Sequence, residues 1–340
     1  VLDFKSGRFF DLLQVKRAEE RVGSYYQGRG FYDAQADHSL LPVGSNQVDV
    51  TFSVKEGDKY KIDTIAFEGV KVLDEDDLAS TIQTKEYSWW SSWLLGTGRL
   101  NKDMLDNDRN IIRQELVNNG LLEGSVSEPS IRKKDKKLYI TFSINEGPQY
   151  KIGNITASGD LIDNSEASTI KDIESEKGDV FNGSIVRADS LTVSEKFSDI
   201  GYAFVNVIPD TQIDRATQTV GIDFRTSKGK LITVDRINFR GNNKTYDNVL
   251  RRDMEIAEQE IYSTSKIKRS QELLQRRGYF EEVNIVNENT SADDKINLGV
   301  NVKEGSTGTF SIGAGYSSSD GAIFNTRLSE NNVLGTGRRA

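Results

Sequence analysis

Lys137-Leu-Tyr-Ile-Thr-Phe-Ser-Ile-Asn-Glu-Gly-Pro-Gln-Tyr-Lys-Ile-Gly-Asn-Ile-Thr-Ala-Ser-Gly159 holds the end of one folded unit and the start of the next. Leu138, Ile140, Phe142 and Ile144 alternate with polar residues, which is the period of a strand buried on one face. The same alternation recurs at Val48, Val50, Phe52 and Val54, at Val220, Ile222 and Phe224, and at Ile296, Leu298, Val300 and Val302. Successive copies start 90, 82 and 76 residues apart, too far for a solenoid repeat and right for a small domain.

Working back from each alternating strand, a helical stretch ends in glycine at Gly30, Gly120, Gly201 and Gly278, the residue that tolerates a left-handed helix stop. Apolar pairs four and eight residues before the first three glycines (Tyr26 and Val22, Leu116 and Ile112, Phe197 and Val193) form a stripe facing a sheet, whereas the last copy has Leu274 and Ser270. Between glycine and alternating strand lies an extended segment, Phe31 to Pro42, Leu121 to Pro129, Tyr202 to Pro209 and Tyr279 to Asn287, so the pair reads as a hairpin. Three of the four prolines fall near the end of this segment; proline is tolerated in sheets at edges and strand ends, so the segment is expected to be an exposed edge.

Working forward, Tyr150, Ile152, Ile155, Ala157 and Gly159 match Tyr60, Ile62, Ile65, Phe67 and Gly69, and Val234, Ile237, Phe239 and Gly241, as an opening strand with its closing turn. A polar helix follows, around Asp74 to Thr84, Asn164 to Ser175 and Tyr246 to Glu258. Each unit therefore reads β-α-α-β-β, an α+β fold with two helices on one face of a three-stranded sheet. The spacing predicts units at 1–57 (partial), 58–147, 148–228 and 229–304, with a tail at 305–340. Glu56-Gly57-Asp58-Lys59-Tyr60 and Glu146-Gly147-Pro148-Gln149-Tyr150 are short joints that restrict motion, and Ser227-Lys228-Gly229-Lys230 replaces the glutamate in the third. By the spacing of the second copy, the first copy's opening strand and helix are expected upstream of Val1, and no signal-peptide pattern opens the chain.

The charge of −8 opposes general nucleic-acid binding. With no cysteine and one histidine, His38, thiol chemistry is excluded and the usual zinc and triad arrangements are missing; His38 reads as a polar strand residue. No apolar run reaches the length of a membrane-spanning helix. In the tail, Phe310, Ile312, Ala314 and Tyr316, then Ala322, Phe324, Thr326 and Leu328, alternate with small polar residues and no helix follows. Outer-membrane barrel strands and a soluble hairpin both fit that pattern.

The Glu-Gly-x-x-Tyr-Lys-Ile joints resemble those of POTRA modules. Val234-Asp-Arg-Ile-Asn-Phe-Arg-Gly-Asn242, Val249-Leu-Arg-Arg-Asp-Met254 and Arg277-Gly-Tyr-Phe280 resemble the last POTRA of the BamA family of outer-membrane β-barrel assembly factors. Gly308 to Tyr316 and Asn332-Val-Leu-Gly-Thr-Gly-Arg338 resemble the start of that family's barrel. The resemblance implies a partial second and complete third to fifth POTRA, Trp89-Trp90 matching paired tryptophans of the third, followed by about two barrel strands. Such a tail, too short to close a barrel, is expected to be disordered, packed on the last unit or paired with another chain. The implied role is a periplasmic, non-enzymatic scaffold of a Gram-negative outer membrane, without cofactor or metal. Its implied partners are unfolded outer-membrane proteins, lipoprotein subunits and, through the barrel, the membrane. A TamA-type or two-partner-secretion arm, or a soluble multidomain binding protein, are the alternatives.

Two sets of site residues follow. The edge segment Leu121, Leu122, Glu123, Gly124, Ser125, Val126 and Ser127 is the first choice for adding an incoming strand, against an ordinary edge protected by proline and charge. Arg251, Arg252 and Glu258 match by resemblance a lipoprotein-docking position, against a solvated helix face. Trp89-Trp90-Ser-Ser-Trp93 reads either as core cover or as a partner-facing patch. Gly96-Thr-Gly-Arg99 and Gly335-Thr-Gly-Arg338 lack the lysine and spacing of a phosphate loop.

Overall fold

In the computed structural model the described residues are 9–44, 47–88, 98–317, 319 and 321–339; the tryptophan run falls outside them. Contact density divides the chain into two units, Val1–Gly153 with Lys177–Ile185 and Ile213–Val220, and Asn154–Glu176 with Val186–Gln212 and Gly221–Ala340.

In the first unit, helix α1 (Leu12–Gln27) starts where the Asp11 carboxylate accepts the Leu13 N–H, and it buries Val15, Ala18 and Val22. It packs on an antiparallel hairpin of β1 (Gln35–Val43) and β2 (Gln47–Lys55), where His38 on β1 meets Glu19 of the helix. The next repeat opens with β3 (Lys61–Glu68), followed by α2 (Glu75–Thr81) and α3 (Lys102–Asn118). It closes with β4 (Ser125–Val126), β5 (Ser130–Lys134) and β6 (Lys137–Asn145). Strand β6 is central: β3 lies parallel on one side, and β4 and β5 lie antiparallel on the other. Leu138, Ile140, Phe142 and Ile144, the alternating residues of the sequence, all point into the core with Ile112 and Leu116 of α3.

Most of the second unit repeats this plan twice. Strand β7 (Lys151–Gly159), a 3₁₀ turn at Ile162–Asn164, α4 (Glu166–Thr169), α5 (Gly183–Asp199), β8 (Asn206–Asp214) and β9 (Thr219–Ser227) give the sheet order β7-β9-β8. Strand β10 (Thr233–Arg240), α6 (Asp247–Arg252), α7 (Thr264–Arg276), β11 (Phe280–Asn289) and β12 (Lys295–Glu304) give β10-β12-β11. In every complete sheet the last strand is central, so the first and second strands are both edges. The opening strand can end against the central one only because a glycine closes it or directly follows it. A Cβ on Gly69, Gly159 or Gly241 would stand 2.1, 2.2 or 2.0 Å from the carbonyl oxygen of Ile144, Thr226 or Val302, and all three have positive φ.

The glutamates of the joints have a structural task. Glu146 is buried and its carboxylate accepts the Val72 and Leu73 N–H groups at 2.9 to 3.0 Å, while Glu304 accepts those of Lys244 and Thr245 at 2.7 to 3.1 Å. Each thus ties the loop after the opening strand to the end of the central strand. Where Lys228 replaces the glutamate, the tie runs in reverse: Asp160, in the loop, accepts the Lys228 N–H at 3.0 Å.

Two expectations need correction. The polar helices expected at 74–84, 164–175 and 246–258 are shorter, because the chain after them turns back toward the core. Buried Asp108 of α3 accepts the Gln83 and Thr84 N–H groups, and buried Asp189 of α5 those of Glu174 and Ser175, which holds the two turns. The edge segment is also not one strand over Leu121–Pro129. Leu121 to Gly124 form a turn continuing the helix stop, with Leu121 N–H on Leu116 O at 2.8 Å and Gly124 N–H on Leu121 O at 2.9 Å. The strand then breaks at Ser127–Pro129.

The tail forms an antiparallel hairpin, β13 (Gly308–Ser317) and β14 (Gly321–Glu330). Phe310, Ile312, Phe324 and Leu328 share one face of it, all more than 60% exposed. The following turn, Asn332–Arg338, seats on the last repeat: Tyr246 N–H donates to Gly335 O (3.1 Å), Tyr279 Oη to Gly337 O (3.0 Å) and Asn332 Nδ2 to Thr245 Oγ1 (2.8 Å).

Candidate docking edges

A sheet edge takes up an extended polypeptide through backbone N–H and C=O groups that its own sheet leaves unpaired. On the opening-strand side those groups are used internally, by the loop that precedes the second helix. Tyr87 N–H donates to Ile62 O (2.8 Å) and Ile62 N–H to Gly98 O (3.0 Å). Gly178 N–H donates to Ile152 O (2.8 Å) and Ile152 N–H to Asp179 O (2.7 Å). Gln259 N–H donates to Val234 O (2.6 Å) and Val234 N–H to Glu260 O (2.9 Å). Further along, past a bulge, a carboxylate takes over: Glu86 accepts the Ile65 N–H at 2.8 Å, and Glu258 accepts the Ile237 N–H at 3.0 Å.

That arrangement redefines the expected docking cluster. Arg251 and Arg252 occupy the last turn of α6, whereas Glu258 lies beyond it in the loop. Arg251 donates to Glu258 Oε1 (3.1 Å) and to Ile237 O (3.3 Å), with its guanidinium 5.1 Å from the Phe239 ring centre. The Ile237 N–H, and after it Arg251, hold the Glu258 carboxyl below its usual range against partial burial. Arg251 and Glu258 are therefore brought together to close the β10 edge. Arg252 is half exposed and lies apart from that pair, 3.9 Å from Asp253. Asp253 itself is buried and receives two hydrogen bonds from Arg277, at 2.6 and 2.7 Å.

Among the described residues the second-strand side carries no comparable loop, and the four copies differ there. In the second repeat Leu121 is buried and Leu122 half-buried, Glu123 bonds Arg215 Nε at 2.6 Å, and Gly124 is in the turn. Arg215, with Tyr150 adding to it, lowers the Glu123 carboxyl pKa against burial. Only Ser125 and Val126 form strand, opposite Asn145 and Ile144, and Ser127 N–H reaches Ser143 O. Pro42 stands inside β1 and Pro209 inside β8, each without a backbone N–H to offer. Strand β11 is ten residues long, has no proline and pairs with β12 along its length, with one bulge. One of its carbonyls, that of Val283, accepts Gln271 Nε2 of α7 at 2.9 Å.

The closing loops escape a reading of side-chain pattern because they act through main-chain atoms. One signal was present: Glu86 and Glu258 each stand 21 residues beyond Ile65 and Ile237, and Glu176 stands equally far beyond Ile155. Among the described residues no three His, Asp or Glu converge on a metal-sized site.

The POTRA family model, described as a surface antigen variable number repeat, matches residues 1–57, 60–147, 150–229 and 232–305. The outer membrane protein assembly factor BamA of Nitratidesulfovibrio vulgaris is 30% identical over 341 residues, covering 99% of this chain and 43% of that protein. The same-named protein of Neorickettsia risticii is 28% identical, over 100% of this chain and 46% of its own length. This chain thus spans less than half of these relatives. A crystal structure of Haemophilus influenzae BamA POTRA3-5 superposes with a TM-score of 0.58 at 22% identity, over 72% of this chain and 96% of that one, a likeness of fold.

Proposed function

The chain belongs to the POTRA repeat family, and from that premise we propose that it is the periplasmic arm of an outer-membrane protein assembly factor. The arm is a scaffold that works without chemistry, receiving unfolded outer-membrane proteins by strand addition and docking lipoprotein subunits. The observation that carries this reading is the asymmetry of the sheets: the opening-strand edge is closed by the repeat's own loop, and the second-strand edge is left to solvent. Each backbone bond gained by an incoming strand is worth about 0.5 to 1.5 kcal/mol net, which suits transient capture and release.

Photocrosslinking in cells tests it, with a photoreactive residue placed singly on β1, β5, β8 and β11 of the full-length protein. Adducts with outer-membrane protein precursors from at least one second-strand position are expected. Adducts absent from all four would overturn strand addition.

Lipoprotein docking on the fourth repeat rests on Arg251, Arg252 and Glu258. Since Glu258 and Arg251 also hold β10, Arg252→Glu is the cleaner variant: it reverses an exposed charge and leaves that pair intact. It is expected to reduce co-purification of the lipoprotein, and wild-type recovery would remove the site.

A further inference from the structure

The hydrogen bonding of β12 fixes which way β11 faces. In a strand the N–H and C=O of one residue point to the same side, and the side alternates along the chain. Thr233 N–H bonds Asp294 O, so along β12 even-numbered residues face β10 and odd-numbered ones face β11. Asn284, Val286 and Glu288 stand opposite Asn301, Gly299 and Asn297, so Val283, Ile285, Asn287 and Asn289 direct their backbone groups away from the sheet, in keeping with the Gln271 bond. Asn284, Val286 and Glu288 direct theirs to β12. The outward row is uninterrupted, whereas the second strands of the other repeats hold a proline inside the strand or at a break.

We infer that the β11 edge of the fourth repeat is the arm's main site of strand addition and that Gln271 is its displaceable cap. This rests on the strand-addition reading above. The ligand class is an extended polypeptide segment that alternates apolar and polar residues and carries Lys or Arg. Strand β11 carries Glu281, Glu282 and Glu288 and no cation; Lys303 pairs with Glu281 and Arg240 with Glu288, so the exposed Glu282 carboxylate is the charge that favours a basic incoming strand over an acidic one. Gln271 covers one carbonyl of the row with a neutral, flexible side chain. An incoming backbone N–H can replace that bond one for one, so the edge is protected from casual pairing and remains available.

The test uses this chain and a synthetic peptide of its own strand sequence 321–330, Gly-Ala-Ile-Phe-Asn-Thr-Arg-Leu-Ser-Glu, which alternates and carries one arginine. With benzoylphenylalanine at position 284, 208 or 41 of the protein in turn, the highest adduct yield is expected from 284. Gln271→Ala is expected to raise that yield severalfold, and Asn287→Pro, which removes an outward donor, to abolish it. Circular dichroism reports whether each variant is folded. If Asn287→Pro fails to fold, Gln271→Ala still decides: an unchanged yield overturns the cap. Adducts from 208 or 41 with none from 284 overturn the choice of edge and leave strand addition standing. No adduct from any position overturns both.

Discussion

The two edges of each complete sheet have the same neighbour, the central strand, and opposite fates. On the opening-strand side, a loop supplies an N–H and a C=O to one residue, Ile62, Ile152 or Val234, and in two repeats a glutamate takes the N–H three residues further on. On the second-strand side, protection consists of single residues: a proline in β1 and β8, a break in the second repeat, a lone glutamine over β11. The first kind of closure is part of the fold and costly to undo. The second kind can be displaced without unfolding anything, which is what an edge that exchanges partners requires.

The sharpest way to break the comparison is to detach a closed edge from its sheet. Gly241→Val places a Cβ where only 2.0 Å separates it from Val302 O, at a φ of 89° that valine rarely adopts. A loss of at least about 3 kcal/mol is expected, confined to the fourth repeat. Hydrogen exchange checks this: amides of β10 to β12 should lose protection while those of β6 keep theirs.

Next in size is the joint carboxylate. Burial raises the Glu146 carboxyl, but the N–H groups of Leu73, Lys71 and Val72 outweigh it, so the folded pKa lies below the usual 4.5. Its contribution is complete above pH 4.5, the unfolded value, and is lost as pH falls through the lower folded value. Glu304 behaves alike, with burial opposed by the Thr245 hydroxyl and the N–H groups of Thr245, Lys244 and Asn243. Glu146→Gln is expected to cost about 2 kcal/mol at pH 7 and to flatten the acid limb of a denaturation series. A mutant with the wild-type acid limb would exclude Glu146 as its source.

The sequence revealed what side-chain patterning encodes. Alternation located the closing strand of all four repeats, and glycine after an apolar helical stripe located the helix ends; β2, β6, β9 and β12 lie where the pattern puts them. It did not reveal which edge closes, because Tyr87, Gly178 and Gln259 share no side-chain property and act through their backbones. It also overextended the edge at Leu121, whose apolar side chain suits a helix-stop turn as well as a strand. Glu258 matches a docking position by resemblance, and its bond to the Ile237 N–H stays hidden because it depends on a bulge that spacing alone does not show.

Glu258→Ala sharpens the closed side at smaller scale. It leaves the Ile237 N–H without its acceptor and Arg251 with only the Ile237 carbonyl, with an expected cost of about 1 to 2 kcal/mol. Glu86→Ala in the second repeat should cost a comparable amount, because it serves Ile65 in the same way. Equal effects on denaturant midpoints would mark the glutamate as a feature of the repeat; a cost at Glu258 alone would tie it to the Arg251 pair.

The smallest expected effect lies on the open side, and its smallness is the point. Asn284→Lys adds a charge to the exposed face of β11, where the backbone bonds to β12 do not depend on the side chain. Stability should change by no more than about 0.5 kcal/mol, within the range of exposed substitutions. The same lysine opposes the acidic character of this edge, so capture of a basic strand should weaken while the denaturant midpoint stays put. Stability and capture separate in this way only if folding does not use the edge. A midpoint that fell together with capture would mean that β11 is held by contacts along its outer side, and that the two edges of the sheet are closed alike.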